Sequence, residues 1–174
     1  VKHRAANQGV IGARSSAVKV SSGGFLVCLD PDDLIEPTYL EKALITFMRY
    51  PRIDLVVPVT RVLGDEDGEK MWIPAPFNER NLSYNNAAPV ATAIRRRVWE
   101  TVGGPSEHMA GGFEDWAFWR AAASHGFRGV VLNEPMFRYT FSDNSGRDSE
   151  ARRKKDDLER RVKTMFPVLK AGTP

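Results

Sequence analysis

Residues 25–30 (FLVCLD) form an apolar run that closes on charge, because Asp30 opens the tetrad Asp30-Pro31-Asp32-Asp33. A run of that length with no polar alternation suits a β-strand covered on both faces, as in a parallel sheet. Such a strand needs helices on each side, so a layered α/β fold is expected. Three carboxylates also come to lie at one strand end, where open α/β sheets bind their ligands.

The flanking sequence supplies the other layers. Residues 7–20 (NQGVIGARSSAVKV) space Val10, Ala13, Ala17 and Val20 as a helix face, and residues 21–24 (SSGG) break it. Residues 38–49 predict a second helix, with Leu40, Ala43, Leu44 and Phe47 on one side, set between Pro37 and Pro51. Residues 54–62 (DLVVPVTRV) predict a strand, residues 65–68 an acidic turn into Met71-Trp72-Ile73, and residues 74–89 a long Asn- and Pro-rich loop. A strand follows at 90–94, and a short helix at 96–102 is ended by Gly103-Gly104-Pro105. Residues 113–125 (FEDWAFWRAAASH) predict a clear helix between glycines. Two short strands at 130–132 and 136–141, a polar loop at 142–148 and a charged helix at 149–166 complete the pattern.

At 174 residues the chain holds one domain with a sizeable core. Its 42% hydrophobic and 27% charged residues exclude disorder, collagen and coiled coil. The single cysteine, Cys28, excludes an internal disulfide framework and a cysteine-based zinc site. No apolar run approaches the roughly 20 residues of a membrane span. Residues 1–150 carry 17 Lys and Arg against 19 Asp and Glu, and residues 151–174 carry 8 against 3. The body is therefore slightly acidic, which argues against a nucleic-acid partner. The basic stretch 152–163 reads as a solvated helix packed on the body, with contact to an anionic membrane surface as the alternative.

Two acidic clusters stand out. The strand-end Asp30-x-Asp32 supplies the hard oxygens that Mg²⁺ or Mn²⁺ takes together with substrate phosphates. The same residues also suit an Asx-type turn with Asp33 capping the next helix, and spacing leaves both readings open. A calcium EF-hand loop fails, because Ile35 stands where that loop needs glycine. The second cluster is Gly111-Gly112-Phe113-Glu114-Asp115-Trp116. It places two acids in the first turn of a helix, as dipole partners or as a general base whose pKa the neighbouring aromatics raise. His3, His108 and His125 show no ligand spacing, and no P-loop, G-x-G-x-x-G or G-x-S-x-G occurs.

Taken in order, these segments resemble the later part of a family 2 glycosyltransferase. The family's N-x-G-x-x-x-A-R-N stretch is similar to Asn7–Ser15, its F-L-D-x-D-D to Cys28–Asp33, and its E-D-W-x-[LF]-W-x-R to Glu114–Arg120. Arg96–Gly104 is similar to its R-R-x-x-[WL]-x-x-V-G-G. The resemblance implies a GT-A-like, Rossmann-related fold with a mixed, mostly parallel sheet flanked by helices. It assigns residues 1–148 to a partial catalytic domain and 149–174 to a basic helix and tail. It implies a metal-dependent inverting hexosyl transfer from a UDP-, GDP- or dTDP-sugar to a hydroxyl of a glycan or lipid-linked acceptor, as in polysaccharide or cell-wall synthesis. Mn²⁺ or Mg²⁺ would be held by Asp32 with Asp30. The donor would lie against Asn7, Arg14, Asp30, Asp32 and Asp33. Asp115 would be the base, with Gly112, Glu114 and Trp116 positioning sugar.

Departures from the pattern shape the remaining expectations. The family's opening strand–loop–helix and its D-D-G-S strand end have no counterpart here, so the isolated chain is expected to be inactive. Ser15, Ser16 and Ala17 follow Arg14 where the family has N-x-G, and Tyr139–Ser142 replaces Y-R-x-H, with Arg138 or Arg147 as substitutes. A nucleotidyltransferase of the same fold and an inactive carbohydrate-binding domain are the alternatives. The expected location is the cytoplasm, or the inner membrane face if the basic helix makes contact. The whole reading requires the two acidic clusters to share one pocket.

Overall fold

The computed structural model describes residues 7–65, 68–140 and 153–166. In chain order its elements are α1 (Gly9–Val20), β1 (Phe25–Leu26), β2 (Leu34–Ile35), α2 (Tyr39–Arg49), β3 (Leu55–Asp65) and β4 (Gly68–Trp72). Then come α3 (Glu79–Tyr84), β5 (Ala93–Arg95), α4 (Arg96–Val102), a 3₁₀ turn (Glu107–Met109), α5 (Glu114–Ser124), β6 (Gly129–Thr140) and α6 (Lys155–Met165).

The sheet is built around β3. Leu55, Val56, Val57 and Val59 are nearly inaccessible, as a β-branched run in a central strand demands. Strand order is β1-β5-β3-β6-β2, with β4 also paired to β3. The mixed α/β sheet matches expectation, but its balance does not. Among the described strands β3 and β6 run parallel, whereas β1–β5, β2–β6, β3–β4 and β3–β5 are antiparallel.

Alternate residues of β3 serve two cores. Leu55 and Val57 join α4, α5 and α6 on one face, and Val56 joins Tyr39, Ala43 and Phe47 of α2 on the other. Leu158 and Val162 are fully buried, so α6 belongs to the main core despite its charge. Arg120 of α5 fastens it by donating to the carbonyls of Val162 (3.2 Å) and Phe166. No helix among the described residues is long and apolar enough to cross a membrane.

Several local expectations need correction. The run at 25–30 is not a long strand buried on both faces. Only Phe25 and Leu26 join the ladder, at the sheet edge, and Phe25 and Leu29 are exposed. In α2 the buried stripe is Tyr39, Ala43 and Phe47, while Leu40 and Leu44 face outward. The loop at 74–89 contains α3, whose first turn is capped by Asn78 Oδ1 accepting from Asn81 N at 2.8 Å. The strands expected at 130–132 and 136–141 are one strand, β6. Its ladder with β3 jumps from Pro58↔Leu132 to Val59↔Pro135, where neither proline has an N–H to pair. Residues 142–152, the polar loop and the start of the charged helix, lie outside the described residues.

Tyr39 welds α2 to the sheet. Its buried hydroxyl donates to Ala91 O (2.8 Å) and accepts from Ala93 N (2.9 Å). Tyr39→Phe removes the hydroxyl that both backbone groups bond in the interior. A loss of about 1–3 kcal/mol is expected, measured by urea unfolding with the far-UV spectrum unchanged.

Candidate active site

Three backbone turns bring the two acidic clusters together. α1 carries Arg14 on its inner side, and the Ser21–Gly24 break lets the chain reverse into β1. Arg96 secures that reversal by donating from Nε to Gly23 O (2.6 Å) and from Nη2 to Ser21 Oγ (2.7 Å). Residues 30–33 then turn tightly, with Asp33 N donating to Asp30 O at 3.1 Å. Before α5, Gly111 (φ 109), Gly112 (φ 145) and Phe113 (φ 58) lie consecutively at positive φ. Only glycine takes the first two conformations without strain, and Phe113 is held in the left-handed region. This turn aims the first residues of α5, Glu114 and Asp115, back at α1.

The guanidinium of Arg14 joins the clusters. Nη2 donates to both oxygens of Asp30 at 2.8 Å, and Nη1 donates to Glu114 Oε1 at 2.9 Å. The Arg14 and Glu114 side chains are 10% and 4% exposed, so this is an interior ion cluster rather than a surface pair. Asp30, Glu114, Asp115 and Arg14 line one cavity of about 360 Å³. The two clusters therefore meet through Asp30 on one side and Glu114 and Asp115 on the other.

Asp115 differs from the other carboxylates. Its Oδ2 accepts from Asn86 Nδ2 (2.9 Å) and its Oδ1 from Trp116 N (2.7 Å). Burial, reinforced by the adjacent Glu114 charge, pushes its pKa up to about 6. The two hydrogen bonds and Arg14 pull less strongly the other way. Burial also raises the Cys28 thiol nearby, so that cysteine is no reactive thiolate.

The remaining predicted site residues fall elsewhere or have other partners. Gly112 is buried in the cavity wall. Asp32 is exposed on its turn, outside that wall. Asp33 is buried and accepts from Thr140 N at 2.9 Å, tying the turn to β6 instead of capping α2. Asn7 Oδ1 accepts from Gly9 N at 2.8 Å and shapes the start of α1. Trp116 is in the core, its indole N–H donating to Leu82 O at 2.7 Å, so it does not face a sugar. Arg138 is paired with Glu36 at 2.8 Å, and Arg147 lies outside the described residues. Asn86, and Thr60, Trp72, Phe137 and Tyr139 on the sheet side, are cavity residues that no sequence motif marks.

Among the described residues no three His, Cys, Asp or Glu side chains gather as a metal site. Asp32 offers hard oxygens to a Mg²⁺-like ion, but both oxygens of Asp30 are already held by Arg14 Nη2. Such an ion takes one or two carboxylates and fills its shell with water and phosphate oxygens.

Residues 1–117 match the model of the glycosyl transferase family 2 domain. The chain belongs to glycosyl transferase family 2. No curated protein matches it by sequence. Among solved structures, the chain is similar to residues 1–349 of TarS from S. aureus, with a TM-score of 0.68 and 17% identity over 95% of this chain and 47% of that one. It is also similar to the same TarS fragment in complex with UDP (TM-score 0.64, 18% identity, 94% and 47% covered) and with UDP-GlcNAc (0.63, 18%, 78% and 40%). These likenesses establish a shared GT-A fold. The family 2 chain spans about half the length of those structures.

Two stability effects follow from the cluster. Arg14→Met removes the counter-ion between Asp30 and Glu114 and is expected to cost about 3–5 kcal/mol in chemical unfolding at pH 7. Asp115→Asn acts in the opposite direction. A carboxyl with a raised native pKa folds without penalty below about 4 and bears its full penalty above about 6. The Asn variant should therefore melt higher than wild type at pH 7.5, by at most the roughly 3 kcal/mol that two pKa units represent. The difference should vanish toward pH 4.

Proposed function

We propose that the chain forms the catalytic part of an inverting glycosyltransferase that uses a nucleoside-diphosphate sugar, with Asp115 as the general base. The observation that carries this reading is the enclosed Asp115 carboxyl, raised to about 6, in the same cavity as Arg14 and Asp30. A base poised near neutral pH is what proton removal from a sugar hydroxyl needs. The TarS structures with UDP and UDP-GlcNAc support a nucleotide-sugar as the donor class.

Asp32, with Asp30, would hold a divalent ion, which supplies positive charge to the departing diphosphate. Arg14 lies beside Asp30 and adds positive charge on the same side. On the α5 side, Asp115 accepts the proton of the acceptor hydroxyl as its oxygen attacks the anomeric carbon. The bond from that carbon to the diphosphate oxygen breaks, and the nucleoside diphosphate leaves. Asn86 and Trp116 N hold the Asp115 carboxylate in place during this step, and Glu114 keeps Arg14 from swinging into it. Attack and departure lie on opposite faces of the carbon, so its configuration inverts.

Sugar transfer and donor binding are measured side by side. Asp115→Asn should leave donor binding intact and cut transfer by roughly 10²–10⁴. Wild-type transfer should rise with pH through about 6 as Asp115 loses its proton, and that rise should be missing in the variant. Undiminished transfer by Asp115→Asn would remove the base from the scheme. Asp32→Ala should abolish the Mn²⁺-dependent part of UDP binding seen by calorimetry, and equal binding in EDTA would end the metal assignment.

A further inference from the structure

Asp54 stands immediately before β3, at the end of that strand away from the Asp115 cavity. Roughly 20 Å of extended chain separates it from Thr60 of the cavity lining. Three chain reversals meet around it. α2 ends through Tyr50 and Pro51, in a turn closed by Ile53 N donating to Tyr50 O at 2.9 Å. α5 ends before Gly126, at φ 79, and its turn delivers Arg128 to the start of β6. There Arg128 O accepts from Asp54 N at 2.7 Å and from Leu55 N at 3.1 Å. β5 passes directly into α4, which brings Arg97 to the same carboxylate.

Asp54 is 4% exposed, and both of its oxygens are engaged. Oδ1 accepts from Arg97 Nε (2.9 Å) and Nη2, and Oδ2 accepts from Arg128 N (3.1 Å). The Arg97 guanidinium is therefore held in one pose, although its side chain is 57% exposed. Beside it lies an open cleft of about 390 Å³, lined by Pro51, Arg52, Asp54, Arg97, Gly126 and Arg128. Arg52 and Arg128 are exposed, and neither guanidinium is paired with a carboxylate among the described residues. Three guanidiniums thus face one carboxylate, leaving the cleft with a surplus of two positive charges.

The complement of such a cleft is an anion with two charges spread over several oxygens. A phosphate monoester carries about −1.5 to −2 at pH 7 and offers three terminal oxygens. Guanidinium forks bond such oxygens in pairs. A carboxylate brings one charge and two oxygens, which leaves part of the cluster unmatched. The cleft is also larger than a bare phosphate, so it has room for the group that the phosphate is attached to. We propose that this cleft binds a phosphate monoester, with Arg97, fixed by Asp54, as the preset fork and Arg52 and Arg128 bonding the remaining oxygens. The site shares no lining residue with the Asp115 cavity, so it stands whether or not that cavity transfers sugar.

The test uses phosphorus-31 NMR and calorimetry on the 174-residue chain, with inorganic phosphate and glucose 1-phosphate as soluble probes. Flotation with phosphatidylcholine vesicles, with and without phosphatidic acid, supplies the lipid probe. A soluble probe should bind with a dissociation constant on the order of 0.1–1 mM. Arg52→Gln combined with Arg128→Gln should weaken binding at least about 10-fold. The melting temperature should stay within about 2 °C, because neither guanidinium has an ion-pair partner to lose. Arg97 is kept, since its loss would leave Asp54 buried without its counter-charge. Arg160→Gln with Arg161→Gln on α6 removes the same charge elsewhere and should change binding by less than about 2-fold. Variant-sensitive binding of the soluble probes identifies a free phosphate as the source. Variant-sensitive flotation that requires phosphatidic acid, without soluble binding, identifies a lipid headgroup. Either result supports the cleft. It is overturned by undiminished binding in the Arg52 and Arg128 double variant, by an equal loss in the α6 double variant, or by no binding of any phosphate probe.

Discussion

One guanidinium organises this molecule. Arg14 bonds Asp30 on one side and Glu114 on the other, across a hundred residues of chain. Two acid-bearing turns that would repel each other are thereby held around a common space. The ion cluster is buried, so its geometry is fixed by desolvation as well as by charge, since any loosening exposes an unbalanced group to a medium that does not solvate it. Asp115 depends on the arrangement without joining it. It is near enough to Arg14 to feel the charge, yet bonded to Asn86 and to its own helix, so its carboxyl stays available to the cavity.

The scaffold brings these groups together through irregularities. The Gly111-Gly112-Phe113 turn reverses the chain at the mouth of α5 and presents its acids inward. Pro58 on β3 and Pro135 on β6 interrupt the central ladder. The face of β3 directed at α5 carries Leu55 and Val57 before that point, and Thr60 and Val62 line the cavity beyond it. A core strand thus becomes part of the cavity lining within a few residues. Behind the site, Arg120 and the apolar side of α6 brace α5.

The helices were legible because their signals are local. Periodicity, Gly breaks and Pro stops placed α1, α2, α4 and α5 closely. The run at 25–30 misleads, since a short apolar run does not reveal how many neighbours it has, and only two of its residues find a ladder partner. The outward Leu40 and Leu44 mislead in the same way, because composition says nothing of which apolar stripe meets the sheet. Within the site, Asp30, Gly112, Glu114 and Asp115 stand in recognisable local patterns. Asn86, Thr60 and Trp72 do not, because their place in the cavity arises from register and tertiary contact. Trp116 shared a motif with the acids but points into the core, as helical geometry separates neighbours by about 100°.

Burial beside Glu114 pushes the Asp115 carboxyl up to about 6. A carbon-13 NMR titration of the aspartate carboxyls, with Asp115 assigned by its loss in Asp115→Asn, reads that state directly. The account predicts a midpoint near pH 6 in wild type, moving higher when Arg14 is replaced by methionine. A midpoint near 4 in both proteins, as for a solvent-exposed aspartate, would contradict it.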